Sequence, residues 1–170
     1  LCGWIGVAGH HCHLIQISSD HLYDGPEPGP HPECHVTIRN HYAMSKLAGE
    51  FAARSVNSTI LRTNFVGRSM REGRGSLTDW LYHAFCNDDS INVFDDVMFS
   101  PLFIDSLCDN IERCITRQPV GVYNLGSHDG MSKADFAFAF AAACGLSTTN
   151  VIRNSFNASG SLIARRPTDM

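Results

Sequence analysis

Apolar and polar positions along the chain switch between a strand-like and a helix-like period, and the switches mark its elements. Residues 13–18, His-Leu-Ile-Gln-Ile-Ser, form a short apolar run that ends in hydroxyls and read as a strand. From 24 to 40 that pattern is lost. Pro26, Pro28, Pro30 and Pro32, beside Gly25 and Gly29, predict a long irregular loop there, and long loops in compact domains tend to carry function. Helical spacing runs from about Asn40 to Val56, with Leu47 and Phe51 four apart and Ala43, Ala48 and Ala52 beside them. A β-branched strand follows at 59–63, Thr-Ile-Leu-Arg-Thr, and then a loop over 64–76 containing Gly and Arg.

A second helix is expected over 77–87, where Leu77, Trp80, Leu81 and Ala84 recur at helical spacing. Short extended pieces are expected at 91–94 and 98–103. A third helix from about Asp105 to Arg117 carries Leu107, Cys108, Ile111, Cys114 and Ile115. Residues 121–125 read as a strand, and Ser132 to Cys144 as a strongly apolar helix that should face a core. Ser132, with Asp135 three residues on, fits its N-cap, and Gly145 fits its C-terminal stop. Strands alternating with helices predict an α/β fold with a largely parallel sheet.

Length and charge narrow the function classes. A chain of 170 residues supports one domain with a sizeable core. With 13 basic against 17 acidic residues and a net charge of −4, it lacks the clustered Lys and Arg that phosphate backbones require, so no nucleic-acid partner is expected. No apolar run is long enough for a membrane span, and no secretory signal is visible. Seven cysteines without a CxxC pair point to a reduced, cytoplasmic setting. Cys86, Cys108, Cys114 and Cys144, set among apolar neighbours, are expected to pack as small hydrophobes. Seven of the nine histidines lie in the first 41 residues. His10-His11-Cys12-His13 and His31-x-x-Cys34-His35 invite a zinc reading, but their spacing matches no finger pattern, and no metal is expected. Asp95-Asp96 reads as a turn cap rather than a metal site.

The candidate chemistry sits at Tyr42-Ala43-Met44-Ser45-Lys46. A separation of four puts a phenol and an ammonium on one helical face, where the cation favours the phenolate. Such a pair suits proton donation to a carbonyl under reduction, or proton removal from an alcohol under oxidation. On spacing alone an exposed Tyr and Lys on a surface helix is the commoner case. The context is Ser18-Ser19-Asp20 ending one strand and Asn64-Phe65 following another. In open parallel sheets ligands bind at that carboxyl edge.

The strings SSDHLYDG, YAMSKLAGE and ILRTNFVG, followed by FSPLFIDSLCDNI, GVYNLGS, GMSKADFA and a terminal RRPTDM, resemble the extended short-chain dehydrogenase/reductases. Within them the similarity is to the dTDP-4-dehydrorhamnose reductase-like, sugar-nucleotide-binding branch, from about residue 13 to the end. The resemblance implies a partial Rossmann-like parallel sheet with the smaller substrate-binding region. It implies NADPH or NADH as cofactor, a nucleotide-sugar substrate, and a possible homodimer. It casts Ser19 as the hydroxyl that holds the substrate carbonyl and Asp20 as its acidic neighbour. Tyr42 becomes the general acid, and Lys46 the residue that eases the tyrosine's ionisation and holds the nicotinamide ribose. Asn64 and Phe65 fall where the family lines the nicotinamide and the sugar, and Arg166 where a guanidinium fork suits a diphosphate.

One part of the family pattern is missing. Gly3, Gly6 and Gly9 spell the GxxGxxG spacing, yet no strand precedes them and no helix follows, which a pyrophosphate turn requires. The 170 residues are therefore expected to be a single-domain C-terminal portion without the dinucleotide half. Two alternatives share the scaffold: a non-catalytic regulatory or binding subunit, and a nucleotide-sugar epimerase or dehydratase.

Overall fold

A computed structural model describes residues 1–7, 12–23 and 31–156. Their order is α1 (Cys2–Val7), β1 (Leu14–Ile17), a 3₁₀ turn (Asp20–Leu22), α2 (His41–Ala53), β2 (Ser58–Thr63), β3 (Phe65–Val66), α3 (Leu77–Cys86), β4 (Ile91–Phe94), β5 (Met98–Phe99), β6 (Leu102–Phe103), α4 (Ile104–Arg117), β7 (Gly121–Leu125), β8 (Met131–Ser132), α5 (Lys133–Cys144) and β9 (Val151–Asn154). The main sheet has the order β1-β2-β7 and is parallel throughout, with Ile15 beside Thr59 and Leu61 beside Tyr123. Two further parallel pairs, β3-β6 and β4-β9, and one antiparallel pair, β5-β8, complete the strands. The fold is the expected α/β class.

The central strand β2 is buried along its whole length although four of its six residues are polar. Buried polar groups are tolerated when each finds a partner, and these do. Ser58 Oγ donates to the Ala53 carbonyl at 2.8 Å, Thr59 Oγ1 donates to the Pro119 carbonyl and pairs with His13 Nε2, and Arg62 enters the ion pair described below. The apolar core lies elsewhere, between α3, α5 and β4. There Leu81, Phe85, Ile91 and Val93 pack on Ala134, Ala137 and Ala141, with Phe136, Phe138 and Phe140 along the flank.

Local signals explain the helix boundaries. Asn40 caps α2 by accepting the Ala43 amide at 2.7 Å. Ser76 and Asp79 cap α3 reciprocally, and Ser132 caps α5. Gly145 ends α5 in the left-handed region at φ 66°, where a side chain would be strained.

Several expectations need correction. Phe51 is 61% exposed, and the residues α2 buries are Ala43, Glu50 and Ala53. Small side chains let the helix lie close on the sheet, so its inward face is not its most apolar one. Trp80 is likewise half-exposed, and Leu81, Ala84 and Phe85 take the core side of α3. Cys86, Cys108 and Cys144 are exposed and Cys114 is half-buried, so they do not serve as core packing; all seven cysteines are free thiols. The strand β9 was not expected, since Val151-Ile152-Arg153-Asn154 is too short and polar to stand out, and it forms by pairing with β4. Within the expected irregular loop, Thr37 bridges Tyr23 in parallel; residues 24–30 lie outside the described residues, as do His10 and His11. Among the described residues no three His, Cys, Asp or Glu side chains gather into a metal-binding group. No helix there is long and apolar enough to cross a membrane.

Candidate active site at the carboxyl edge of the parallel sheet

Two neighbouring strands deliver their last residues to the same edge. β1 ends at Ile17, and Ser18, Ser19 and Asp20 follow it, all buried. Ser19 is the N-cap of the 3₁₀ turn: its Oγ accepts the His21 amide at 3.2 Å and donates to Asp20 Oδ1 at 3.0 Å. The other carboxylate oxygen of Asp20 accepts Asn64 Nδ2 at 2.7 Å, from the residue just past β2. Ser19, Asp20 and Asn64 thus form one hydrogen-bonded cluster that joins both strand ends.

Helix α2 brings its first turns to the same place. Lys46 Nζ donates to the Ile17 carbonyl at 3.4 Å and lies 5.7 Å from the Tyr42 ring centroid. Tyr42 meets the His21 ring edge-on, centroids 5.4 Å apart, and His21 Nε2 is 3.9 Å from Asp20 Oδ1. Tyr42 is 52% exposed, so a ligand can reach the ring that the helix holds beside the strand end. The structure brings Ser19, Asp20, Asn64, Tyr42 and Lys46 to one edge. Phe65 stands next to Asn64, half-exposed, and shares an open pocket of about 230 Å³ with Arg68, Arg74 and Ser76. Arg166 lies outside the described residues.

Sequence reasoning missed the buried polar hub behind this edge. Arg62 on β2 sends Nε and Nη2 to the two oxygens of Glu50 on α2, at 2.9 and 2.7 Å, and both side chains are almost wholly buried. Its Nη1 donates to the Tyr23 hydroxyl at 2.8 Å and to the Glu33 carbonyl at 2.9 Å. Tyr23 in turn donates to Asn124 Oδ1 at the end of β7. Burial works against the charged guanidinium, but its hydrogen bonds to Glu50 and Tyr23 more than offset this and hold Arg62 above its ordinary range. The Glu33 carboxyl is held below its ordinary range, chiefly by the Asn124 amide. A pocket of about 130 Å³ opens beside the hub, lined by Asp20, Tyr23, Arg62, Ser100, Asn124 and Gly126. Gly126 is required there, since a Cβ would come within 2.9 Å of the Ser100 carbonyl. The available signals were an arginine inside a β-branched strand and a glutamate one turn beyond Lys46.

Parallel strands with helices packed on them, and a polar cluster at their carboxyl ends, give the chain a Rossmann-like α/β fold. The chain belongs to the family described as the RmlD substrate binding domain, whose model matches residues 7–169. A dTDP-4-dehydrorhamnose reductase of Sinorhizobium fredii is 37% identical over 104 residues, which is 59% of this chain and 34% of that protein. A probable low-salt glycan biosynthesis reductase of Haloferax volcanii is 26% identical over 132 residues, covering 72% of this chain and 43% of the relative. Among solved structures, the dTDP-4-dehydrorhamnose reductase of Bacillus anthracis in complex with NADP superposes at a TM-score of 0.83 and 24% identity, over 99% of this chain and 60% of that one. A dTDP-glucose 4,6-dehydratase of the same organism, in complex with NAD, superposes at 0.77 and 16% identity, over 98% and 55%. Against these proteins the chain spans between about a third and three-fifths of their length.

Proposed function

We propose that this chain supplies the proton-transfer and substrate-binding side of an NAD(P)-dependent reductase acting on a keto-sugar nucleotide. The observation that carries the reading is the meeting of Ser19, Asp20 and Asn64 with Lys46 and Tyr42 at one sheet edge. In this reading Ser19 donates a hydrogen bond to the sugar carbonyl oxygen, and the Tyr42 hydroxyl gives that oxygen its proton. Lys46, anchored on the Ile17 carbonyl, presents its ammonium beside the phenol and to the ribose hydroxyls of the cofactor. Asp20 keeps the Asn64 amide oriented and accepts the Ser19 hydroxyl until the sugar oxygen takes over that hydrogen bond. Asn64 borders the nicotinamide and Phe65 the sugar ring, with Arg166 assigned to the diphosphate.

The residues present fit the nicotinamide-ribose end of NADPH or NADH, since an ammonium and a side-chain amide stand at the strand ends. When bound, the cofactor supplies the hydride that the carbonyl carbon receives. Its pyrophosphate end has no counterpart among the described residues: Gly3 and Gly6 lie within α1 and not in a turn that leads into a helix. The seven free thiols suit a reducing, cytoplasmic setting.

The test is reduction of a dTDP-4-keto-6-deoxysugar by the protein at its full natural length. NADPH or NADH should be consumed in step with formation of the C4 alcohol. Absence of turnover with either cofactor, across dTDP- and UDP-linked keto-sugars, would remove the reading.

A further inference from the structure

Two serines stand side by side at the end of β1, both 4% exposed, and they face different partners. The Ser18 amide still pairs with the Leu61 carbonyl at 2.7 Å, so the chain is extended there and successive side chains point to opposite faces. Ser19 turns to Asp20, whereas Ser18 Oγ donates to Glu50 Oε1 at 2.5 Å. Glu50 lies one helical turn beyond Lys46, on the same face of α2. Consecutive turns of the helix therefore grip consecutive residues of the strand end: Lys46 holds Ile17, and Glu50 holds Ser18.

The Glu50 carboxylate also receives the two-pronged Arg62 fork from β2, the strand that leads into Asn64. Apolar contacts tolerate sliding, while a bidentate guanidinium–carboxylate pair fixes both distance and orientation. Replacing such a buried pair with packed hydrophobes is often neutral or stabilising, so stability alone gives little reason for one at this point.

Building on the proposed role of Tyr42 as proton donor, we infer that Ser18, Glu50 and Arg62 are positioning residues that set the register of α2 against the ends of β1 and β2. They act through Tyr42 and Lys46 and do not touch the substrate. A displacement of about 1 Å in a reacting group can cost on the order of a hundredfold in rate, so even a partial loosening is measurable.

The experiment compares wild type, Ser18→Ala, Ser18→Thr and Glu50→Gln at full natural length. It has one readout that needs no turnover. By NMR, Ser18→Ala should displace the Tyr42 ring and Lys46 side-chain signals and weaken the cross-peak between the Tyr42 and His21 rings, and Ser18→Thr should restore them. In turnover, Ser18→Ala should lower kcat about tenfold with KM nearly unchanged, and the loss should vanish when Tyr42→Phe is already present. Ser18→Ala keeps the Glu50–Arg62 pair, so it tests the claim even if Glu50→Gln fails to fold. Unmoved Tyr42 and Lys46 signals, or a rate loss that persists undiminished in the Tyr42→Phe background, would overturn the inference. A wild type that reduces no keto-sugar would overturn the functional reading instead, with the NMR result still deciding the positioning claim.

Discussion

Arg62 and Glu50 show why a residue's neighbours in sequence can conceal its work. Tyr42 and Lys46 were visible as a pair because four residues of helix bring them together whatever the tertiary structure. The Ser18-Ser19-Asp20 string was visible because it closes an apolar run, and the family resemblance singled out Ser19 within it. Glu50 and Arg62, by contrast, sit on different elements and meet only once α2 lies on β2. The helical spacing was read from Leu47, Phe51 and the alanines, and the residues that the structure buries are Ala43, Glu50 and Ala53. This arrangement makes a stability prediction. Arg62→Met leaves a carboxylate buried without its fork and should cost about 3 to 5 kcal/mol in urea denaturation. Replacing both partners with apolar residues of similar volume should cost clearly less than that single change. Equal losses in the single and double variants would show that the ion pair is not what makes Arg62 matter.

At the scale of elements, helix ends were more legible than strands. Caps are local chemistry: Ser132 with Asp135 and Gly145 stand in the structure as their sequence positions suggested. Strands depend on distant partners, so β9 escaped notice until β4 paired with it. The start of α3 offers a test of cap energetics. Asp79 accepts the Ser76 and Ser69 amides, each at 2.9 Å, and these bonds hold its carboxyl below the ordinary value of 3.8. A carboxyl with a depressed folded pKa stabilises fully above its unfolded value and loses that contribution as pH falls through the folded one. Asp79→Asn should therefore lower the melting temperature at neutral pH. The gap from wild type should shrink steadily as the pH is taken below about 4. A gap that stays constant on acidification would mean that the charge of Asp79 adds nothing to the cap.

At the scale of the whole molecule, the main parallel sheet has three strands among the described residues, β1-β2-β7, and the chain covers 60% of the NADP-bound reductase it superposes on. The α/β class could be read from alternating strand and helix patterns. The substrate-side strings were legible because their order runs through most of the chain. The pocket beside Arg62 was not, since it is assembled from the ends of three strands and the loop at Ser100. With Gly3 and Gly6 inside a helix, the 170 residues by themselves should bind NADPH only weakly, with a dissociation constant above about 100 μM by calorimetry. Micromolar binding would assign the glycines a role that this account denies them. The central claim is that Tyr42 delivers the proton, and the direct measurement is keto-sugar turnover by Tyr42→Phe at full natural length. The substitution keeps the ring and its edge-on contact with His21 and removes only the hydroxyl. Turnover should fall by about 10²- to 10⁴-fold, the usual contribution of a general acid, with the melting temperature unchanged. Reduction at the wild-type rate would contradict the account, because the proton would then come from another group.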